Sequence, residues 1–82
     1  MARNSMSIKA HEENVFAKGF GEYIRTIPTR GPKAPYIGYI KTTLGESEVS
    51  YNSKVVFEVL TSGEEITEEE YNNAELTVIN DL

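Results

Sequence analysis

Carboxylates are the reactive side chains that this chain offers in greatest number. Its 82 residues carry 13 acidic and 8 basic side chains, with one histidine and no cysteine. Paired carboxylates act as acid and base when their surroundings separate their pKa values. Six glutamates lie between residues 63 and 75, in a predicted turn and helix start where water surrounds each of them alike. We therefore expect an exposed acidic surface with one neighbouring tyrosine, made of Glu64, Glu65, Glu68, Glu69, Glu70, Tyr71 and Glu75.

The usual sequence patterns of catalysis and metal binding are incomplete or absent. His11 is followed by two glutamates, but the second histidine that a zinc-protease helix needs four residues later is missing. The lack of cysteine excludes thiolate zinc sites, cysteine nucleophiles and disulfides, and no serine lies in a G-x-S-x-G elbow. The run GEEITEEE lacks the spacing of a calcium-binding loop. We predict a protein that is not an enzyme and that binds no metal or cofactor.

Charge is distributed unevenly along the chain. Residues 1–45 hold seven bases and three acids, which gives 7 − 3 = +4, whereas residues 46–82 hold one base and ten acids, which gives 1 − 10 = −9. The sum is the net charge of −5. Such asymmetry favours a charged partner, although folding could instead neutralise one half against the other across neighbouring strands.

The leading interpretation assigns function to the acidic half. Carboxylates on a helix start and its adjoining turn can imitate the phosphates of a nucleic acid and steer a basic protein to the surface. We expect a small interaction module that binds, and inhibits, a basic nucleic-acid-binding protein, in the manner of the DNA mimics that phages encode. Tyr71 would be either an aromatic anchor in that surface or the buried member of a hydrophobic staple. A purely solubilising role is the alternative for these charges.

A second interpretation uses the basic and aromatic half. The run KGFG, from Lys18 to Gly21, resembles the RNA-binding signature of RRM and cold-shock domains, in which strand aromatics stack on bases. Glu22 departs from that pattern, because it stands where an aromatic residue is expected. Weak binding of single-stranded nucleic acid would then involve Lys18, Phe20, Tyr23, Arg25, Arg30, Lys33, Tyr39 and Lys41.

Strand register decides whether these residues form one patch. If the strands at 20–27 and 36–44 pair so that partner numbers sum to an even value, Tyr23 and Arg25 share a face with Tyr39 and Lys41. An odd sum places Tyr23 with Tyr36 and Ile40 and disperses the patch. The aromatic residues could also be core, with the bases outside.

The elements that must position these residues are mostly strands. Alternating Met6, Ile8 and Ala10 allow a short strand over 5–11, within a polar segment 1–14 that precedes a single compact domain, 15–82. We predict a strand over 15–27 that bends at its glycines, a proline-rich loop over 28–35, and a strand over 36–44 that ends in a turn at 45–48.

The C-terminal half completes the sheet. Period-two alternation predicts a strand over 49–60, and Thr67 and Glu70 form a capping box that begins a short helix over about 68–74. A last strand follows at 76–79. The fold class is therefore α+β, mainly β, with a small antiparallel sheet of four to five strands and one short helix before the last strand, in the order β-β-β-α-β.

Segments that direct a chain to or through a membrane are not evident. No run approaches the roughly 18 apolar residues of a membrane span, and the N-terminus has no apolar signal region. With the absence of cysteine, this favours the cytoplasm. A third reading is a structural subunit that forms homo-oligomers by pairing its sheet edges.

Overall fold

The computed structural model describes residues 5–74, and these form a five-stranded antiparallel sheet with three short helices. The elements in chain order are α1 (Ser5–Lys9), β1 (Val15–Gly19), β2 (Glu22–Pro28), β3 (Tyr36–Thr42), β4 (Gly45–Val49), α2 (Lys54–Ser62), β5 (Glu64–Ile66) and α3 (Glu68–Asn73). The spatial order of the strands is β4-β3-β2-β1-β5. The predicted class, an α+β fold dominated by a small antiparallel sheet, is confirmed.

The stretch 15–27, predicted as one bent strand, is a hairpin of β1 and β2. Phe20 and Gly21 both have positive φ, 53° and 79°, as the two central residues of a type I′ turn require. Gly19 pairs with Glu22 on either side of that turn. The glycines therefore reverse the chain. The next turn also differs from the prediction: it lies at residues 43–44, and 45–48 belong to β4.

The predicted strand over 49–60 is wrong, because most of it is helix α2. Ser53 is the N-cap, and its side chain accepts a hydrogen bond from the Val56 amide. Val56, Val59 and Leu60 are buried, and their spacing of three and four residues forms one helical face. Val49, Val55 and Val59 fit the period of a strand as well. A strand would bury Phe57 on the same face, but Phe57 is 64 % exposed.

Helices α1 and α2 cover one face of the sheet, and the core lies between the helices and this face. Val15, Ala17 and Ile24 of the sheet are buried there against α2. The strand allowed over 5–11 is wrong, since residues 5–9 are α1, and Met6 and Ala10 of that segment belong to the core cluster.

The helix predicted over about 68–74 is confirmed as α3. Thr67 is its N-cap, and the reciprocal capping box with Glu70 is present. The strand predicted at 76–79 lies outside the described residues. Among residues 5–74, no helix has the length and apolarity needed to cross a membrane.

Candidate interaction surfaces

The second face of the sheet, opposite α1 and α2, carries the predicted aromatic and basic residues. Ile24 pairs with Ile40 and Arg25 with Tyr39, so partner numbers sum to 64 and the even register is confirmed. Tyr23, Arg25, Tyr39 and Lys41 therefore share a face. The Arg25 guanidinium carbon lies 4.5 Å from the centroid of the Tyr39 ring, which is cation–π geometry.

Acidic residues from the outer strands border this basic and aromatic centre. Lys18 of β1 pairs with Tyr23 on one side and with Glu64 of β5 on the other. Lys41 of β3 pairs with Glu46 of β4. Because cross-strand partners face each other, one row of side chains crosses this face of the sheet in the order Glu64, Lys18, Tyr23, Lys41 and Glu46.

Helix α3 packs on this face through Tyr71. The Tyr71 ring lies 5.4 Å from that of Phe16, and its hydroxyl donates a 2.6 Å hydrogen bond to Glu46 Oε2. The Lys41 ammonium lies 5.0 Å from the Tyr71 ring centroid and donates to the backbone carbonyls of Tyr71 and Asn72. Tyr71 is only 2 % exposed, so it ties the helix to the sheet and is not an exposed aromatic anchor.

Glu46 is the centre of this network. Arg25 donates to both of its oxygens, from Nε at 2.8 Å and Nη2 at 2.7 Å. Those bonds, together with the one from Tyr71, hold the pKa of Glu46 at about 2, below its ordinary value of 4.5. Burial and the neighbouring carboxylate raise the pKa of Tyr71, and the same carboxylate raises the pKa of Arg25.

The predicted nucleic-acid-binding residues are thus only partly available to a ligand. Arg25 and Lys41 lie in the network around Glu46, and Arg30 donates to the backbone carbonyl of Glu12. Lys33 is exposed in the proline-rich loop, and Phe20 is 63 % exposed at the hairpin turn. The loop, which covers residues 29–35 because Pro28 ends β2, lies at the opposite end of β2 from that turn. The set therefore does not form one continuous patch.

The predicted acidic surface lies on β5 and the first turn of α3. Its glutamates within residues 5–74 are all exposed, and Glu75 lies outside the described residues. Glu65 forms a 2.6 Å ion pair with Lys9, which raises the pKa of Lys9. Glu70 serves the capping box. Within residues 5–74, no base lies within ion-pair distance of the remaining members, Glu64, Glu68 and Glu69.

An open groove lies between β5 and the β1–β2 hairpin turn. Its volume is about 400 Å³, and Lys18, Tyr23 and Glu64 line it together with Gly19, Gly21 and Gly63. Gly63 is needed for packing, since a Cβ at this position would lie 2.5 Å from the Lys18 carbonyl oxygen and 2.6 Å from that of Val59. No group of three or more metal-binding side chains occurs among the residues described.

Phe16 and Glu46 lie under α3 on the second face of the sheet, and neither is among the site residues predicted from the sequence. The sequence carries no local signal for Glu46, because Arg25 is 21 residues away and Tyr71 is 25 residues away. Phe16 could have been identified from its parity with Lys18 once β1 was recognised as a separate strand.

Comparison with protein-family models, with curated proteins and with solved structures finds no match to this chain.

Proposed function

We propose that this protein is a small, non-enzymatic interaction module that binds a basic partner protein through the carboxylates of β5 and α3. We name the five exposed glutamates of this surface the acidic ridge: Glu64, Glu65, Glu68, Glu69 and Glu70. The partner is a nucleic-acid-binding protein, since its surface is already adapted to a row of negative charges. We place the interaction in the cytoplasm, because a chain without cysteine suits a reducing compartment.

One observation carries this proposal: three exposed carboxylates of the ridge have no ion-pair partner within residues 5–74, namely Glu64, Glu68 and Glu69. Two bases of the N-terminal half are used inside the molecule, since Arg25 neutralises Glu46 and Lys41 caps the carbonyl end of α3. Lys9 neutralises only Glu65, so the ridge keeps an excess of negative charge and a negative local field. A basic surface is attracted to such a field at a rate that falls with added salt.

Charge reversal of the ridge tests the proposal. Within residues 5–74, the side chains of Glu68 and Glu69 form no ion pair and do not cap α3. We therefore expect Glu68→Lys/Glu69→Lys to retain the fold. Glu70 is left unchanged because its side chain bonds to the Thr67 amide. The partner is first captured from lysate and purified. We expect its affinity for the variant to be lower by about tenfold or more, which corresponds to about 1.4 kcal/mol. Titration calorimetry at two salt concentrations measures this.

The matched control reverses two other exposed carboxylates, Glu12→Lys/Glu13→Lys, which lie in the turn after α1. Both double variants change the net charge from −5 to −1. Equal loss in the two variants would show that only total charge matters and would overturn the assignment to the ridge. Capture must also survive nuclease treatment, because a partner held through nucleic acid would point to the second candidate.

Direct binding of single-stranded nucleic acid is a second candidate, favoured by the shared face of Tyr23 and Tyr39 beside Lys18. Base stacking on tyrosine contributes about 1–3 kcal/mol per base. In that case Tyr39→Ala or Phe20→Ala weakens binding of a fluorescent oligonucleotide at low salt, and Glu68→Lys/Glu69→Lys strengthens it. An unchanged anisotropy at low salt would exclude this candidate.

A further inference from the structure

The two edge strands of the sheet differ in how much of their length is open. β5 has three residues and is followed directly by α3. β4 has five residues, Gly45–Val49, of which the first four are exposed. Its inner side pairs with β3 along its whole length, and within residues 5–74 no strand pairs with its outer side. In this part of the chain, β4 therefore presents a longer unpaired edge than β5.

Register identifies the backbone groups on that outer edge. Thr42 and Gly45 pair on either side of a two-residue turn, so they exchange both of their backbone hydrogen bonds. Because hydrogen-bonded and non-hydrogen-bonded pairs alternate in an antiparallel ladder, Ser47 and Val49 also bond inward to β3. The N–H and C=O groups of Glu46 and Glu48 consequently point outward, where an added strand would meet them.

The side chains of the same two residues specify the charge of an added strand. Glu46 is already neutralised by Arg25. Glu48 pairs across the sheet with Tyr39, is exposed, and has no ion-pair partner among residues 5–74. A residue directly opposite Glu48 on an added antiparallel strand would place its side chain beside this carboxylate. Lysine or arginine is favoured there, and aspartate or glutamate is disfavoured.

The Glu48 carboxylate opposes pairing between two copies of this chain. If two β4 strands pair antiparallel with Glu48 opposite Glu48, two carboxylates without an ion-pair partner within residues 5–74 face each other. Like charges directly opposite one another destabilise a strand pair. That pairing is therefore less favourable than pairing with a strand that places a base opposite Glu48.

An apolar contact is available at the end of this edge. Leu44, in the turn that leads into β4, is 97 % exposed. Such complete exposure of a leucine leaves its apolar surface in water, and contact with an added strand would remove part of that surface.

We propose that the outer edge of β4 binds an extended segment of a partner protein by antiparallel strand addition, with a lysine or arginine of that segment opposite Glu48. The edge lies across the sheet from β5, and its outward groups belong to residues other than those of the acidic ridge. It is thus a second surface, and it does not depend on the proposed function of the ridge.

Hydrogen exchange tests strand addition directly. The probe is a synthetic peptide of about eight residues that alternates lysine and threonine, long enough to cover β4. We expect saturating peptide to slow amide exchange of Glu46 and Glu48, while exchange of the inward-bonded Ser47 and Val49 amides changes little. The control peptide carries backbone N-methyl groups on its lysines and has the same charge. Its affinity should be lower by about tenfold or more, because its lysine amides cannot donate.

Two substitutions at one position separate backbone pairing from charge. Glu48→Pro removes an outward N–H without breaking a bond to β3, and we expect peptide binding to be lost. Glu48→Gln keeps the amide and removes only the charge, so binding should weaken by about threefold. Leu44→Ser should weaken binding by about twofold to threefold. Thermal melting confirms that each variant is folded.

Several results would overturn this proposal. They are equal affinity for the N-methylated peptide, unchanged exchange of the Glu46 and Glu48 amides at saturation, and no binding of the unmodified peptide at millimolar concentration. The ridge variant Glu68→Lys/Glu69→Lys and its control Glu12→Lys/Glu13→Lys have the same net charge, so these two variants should bind the peptide with equal affinity. Failure of the ridge proposal and failure of strand addition are therefore distinguishable.

Discussion

Thr26 is the residue whose side chain least matches its surroundings. It is fully buried in the face of the sheet that packs on the helices, and within residues 5–74 its hydroxyl has no hydrogen-bond partner. A buried hydroxyl without a partner retains the cost of its lost hydration. Thr26 thus has the β-branched side chain that a strand favours, but the burial of its unpaired hydroxyl lowers the stability of the fold.

Replacing Thr26 with valine should raise the free energy of unfolding by about 1 kcal/mol, because the shape is kept and the unpaired hydroxyl is removed. Urea denaturation at pH 7 measures the change. Thr26→Ser is the control: it keeps the hydroxyl and leaves a gap, so it should destabilise the fold. A destabilised valine variant would contradict the prediction and would show that the hydroxyl finds a partner in solution.

At the scale of elements, the attachment of α3 depends on one carboxylate. A six-residue helix is not stable in isolation, and the capping box satisfies only amides at its N-terminus. The docking of Tyr71 on Phe16 and its hydrogen bond to Glu46 fasten the helix to the sheet. Arg25 holds that carboxylate in place through two bonds.

The depressed pKa of Glu46 makes part of this stability dependent on pH. A carboxylate whose folded-state pKa is about 2 contributes stability above its unfolded value of 4.5 and loses that contribution as the pH falls from 4.5 towards 2. The side chain is 30 % exposed, so with allowance for solvent screening the contribution is about 1–2 kcal/mol.

Glu46→Gln tests this pH dependence. We expect the variant to be less stable than the parent chain by about that amount at pH 7, and the difference to shrink as the pH approaches 2, because protonation removes the charge from the parent as well. Urea denaturation at pH 7, 4.5 and 3 measures both chains, and comparison of the two cancels the titration of the other carboxylates. A difference that stays constant with pH would contradict the assignment.

At the scale of the whole molecule, folding only partly cancels the charge asymmetry of the chain. Arg25 with Glu46 and Lys9 with Glu65 join the basic half to the acidic half, as the alternative of cross-strand neutralisation requires. The glutamates of α3 and Glu48 are left outside this pairing in the part of the chain described. Glu48 and Glu64 lie on the two opposite outer strands of the sheet, and α3 reaches from β5 to β4 through the bond between Tyr71 and Glu46.

The side chains of Glu48, Glu68 and Glu69 have no common ion-pair partner within residues 5–74, which predicts that the two proposed surfaces act independently. The effects of Glu68→Lys/Glu69→Lys and Glu48→Pro on binding should add, because sites without shared partners are additive within about 0.5 kcal/mol. A partner that uses both surfaces would lose affinity in two comparable steps, as measured by calorimetry on the single variants and on the combined variant. Coupling much larger than this limit would indicate that one surface reorganises the other.

The sequence by itself determined the features that depend on short range. The capping box joins Thr67 and Glu70, three residues apart, and was predicted together with the helix that it begins. The proline-rich loop follows from fixed φ angles and missing donors. The rule that an even register collects Tyr23, Arg25, Tyr39 and Lys41 follows from the period of a strand. These features need no knowledge of the rest of the chain.

Tertiary structure decided the features that depend on long range. The apolar residues of 49–60 fit both a strand and a helix, and burial of Val56, Val59 and Leu60 against the sheet selected the helix. The register of β2 with β3 depended on how the strands pair, and the contacts of Glu46 with Arg25 and Tyr71 join residues 21 and 25 positions apart. Local propensities are nearly balanced at such places, so the free energy of packing the whole sheet determines the outcome.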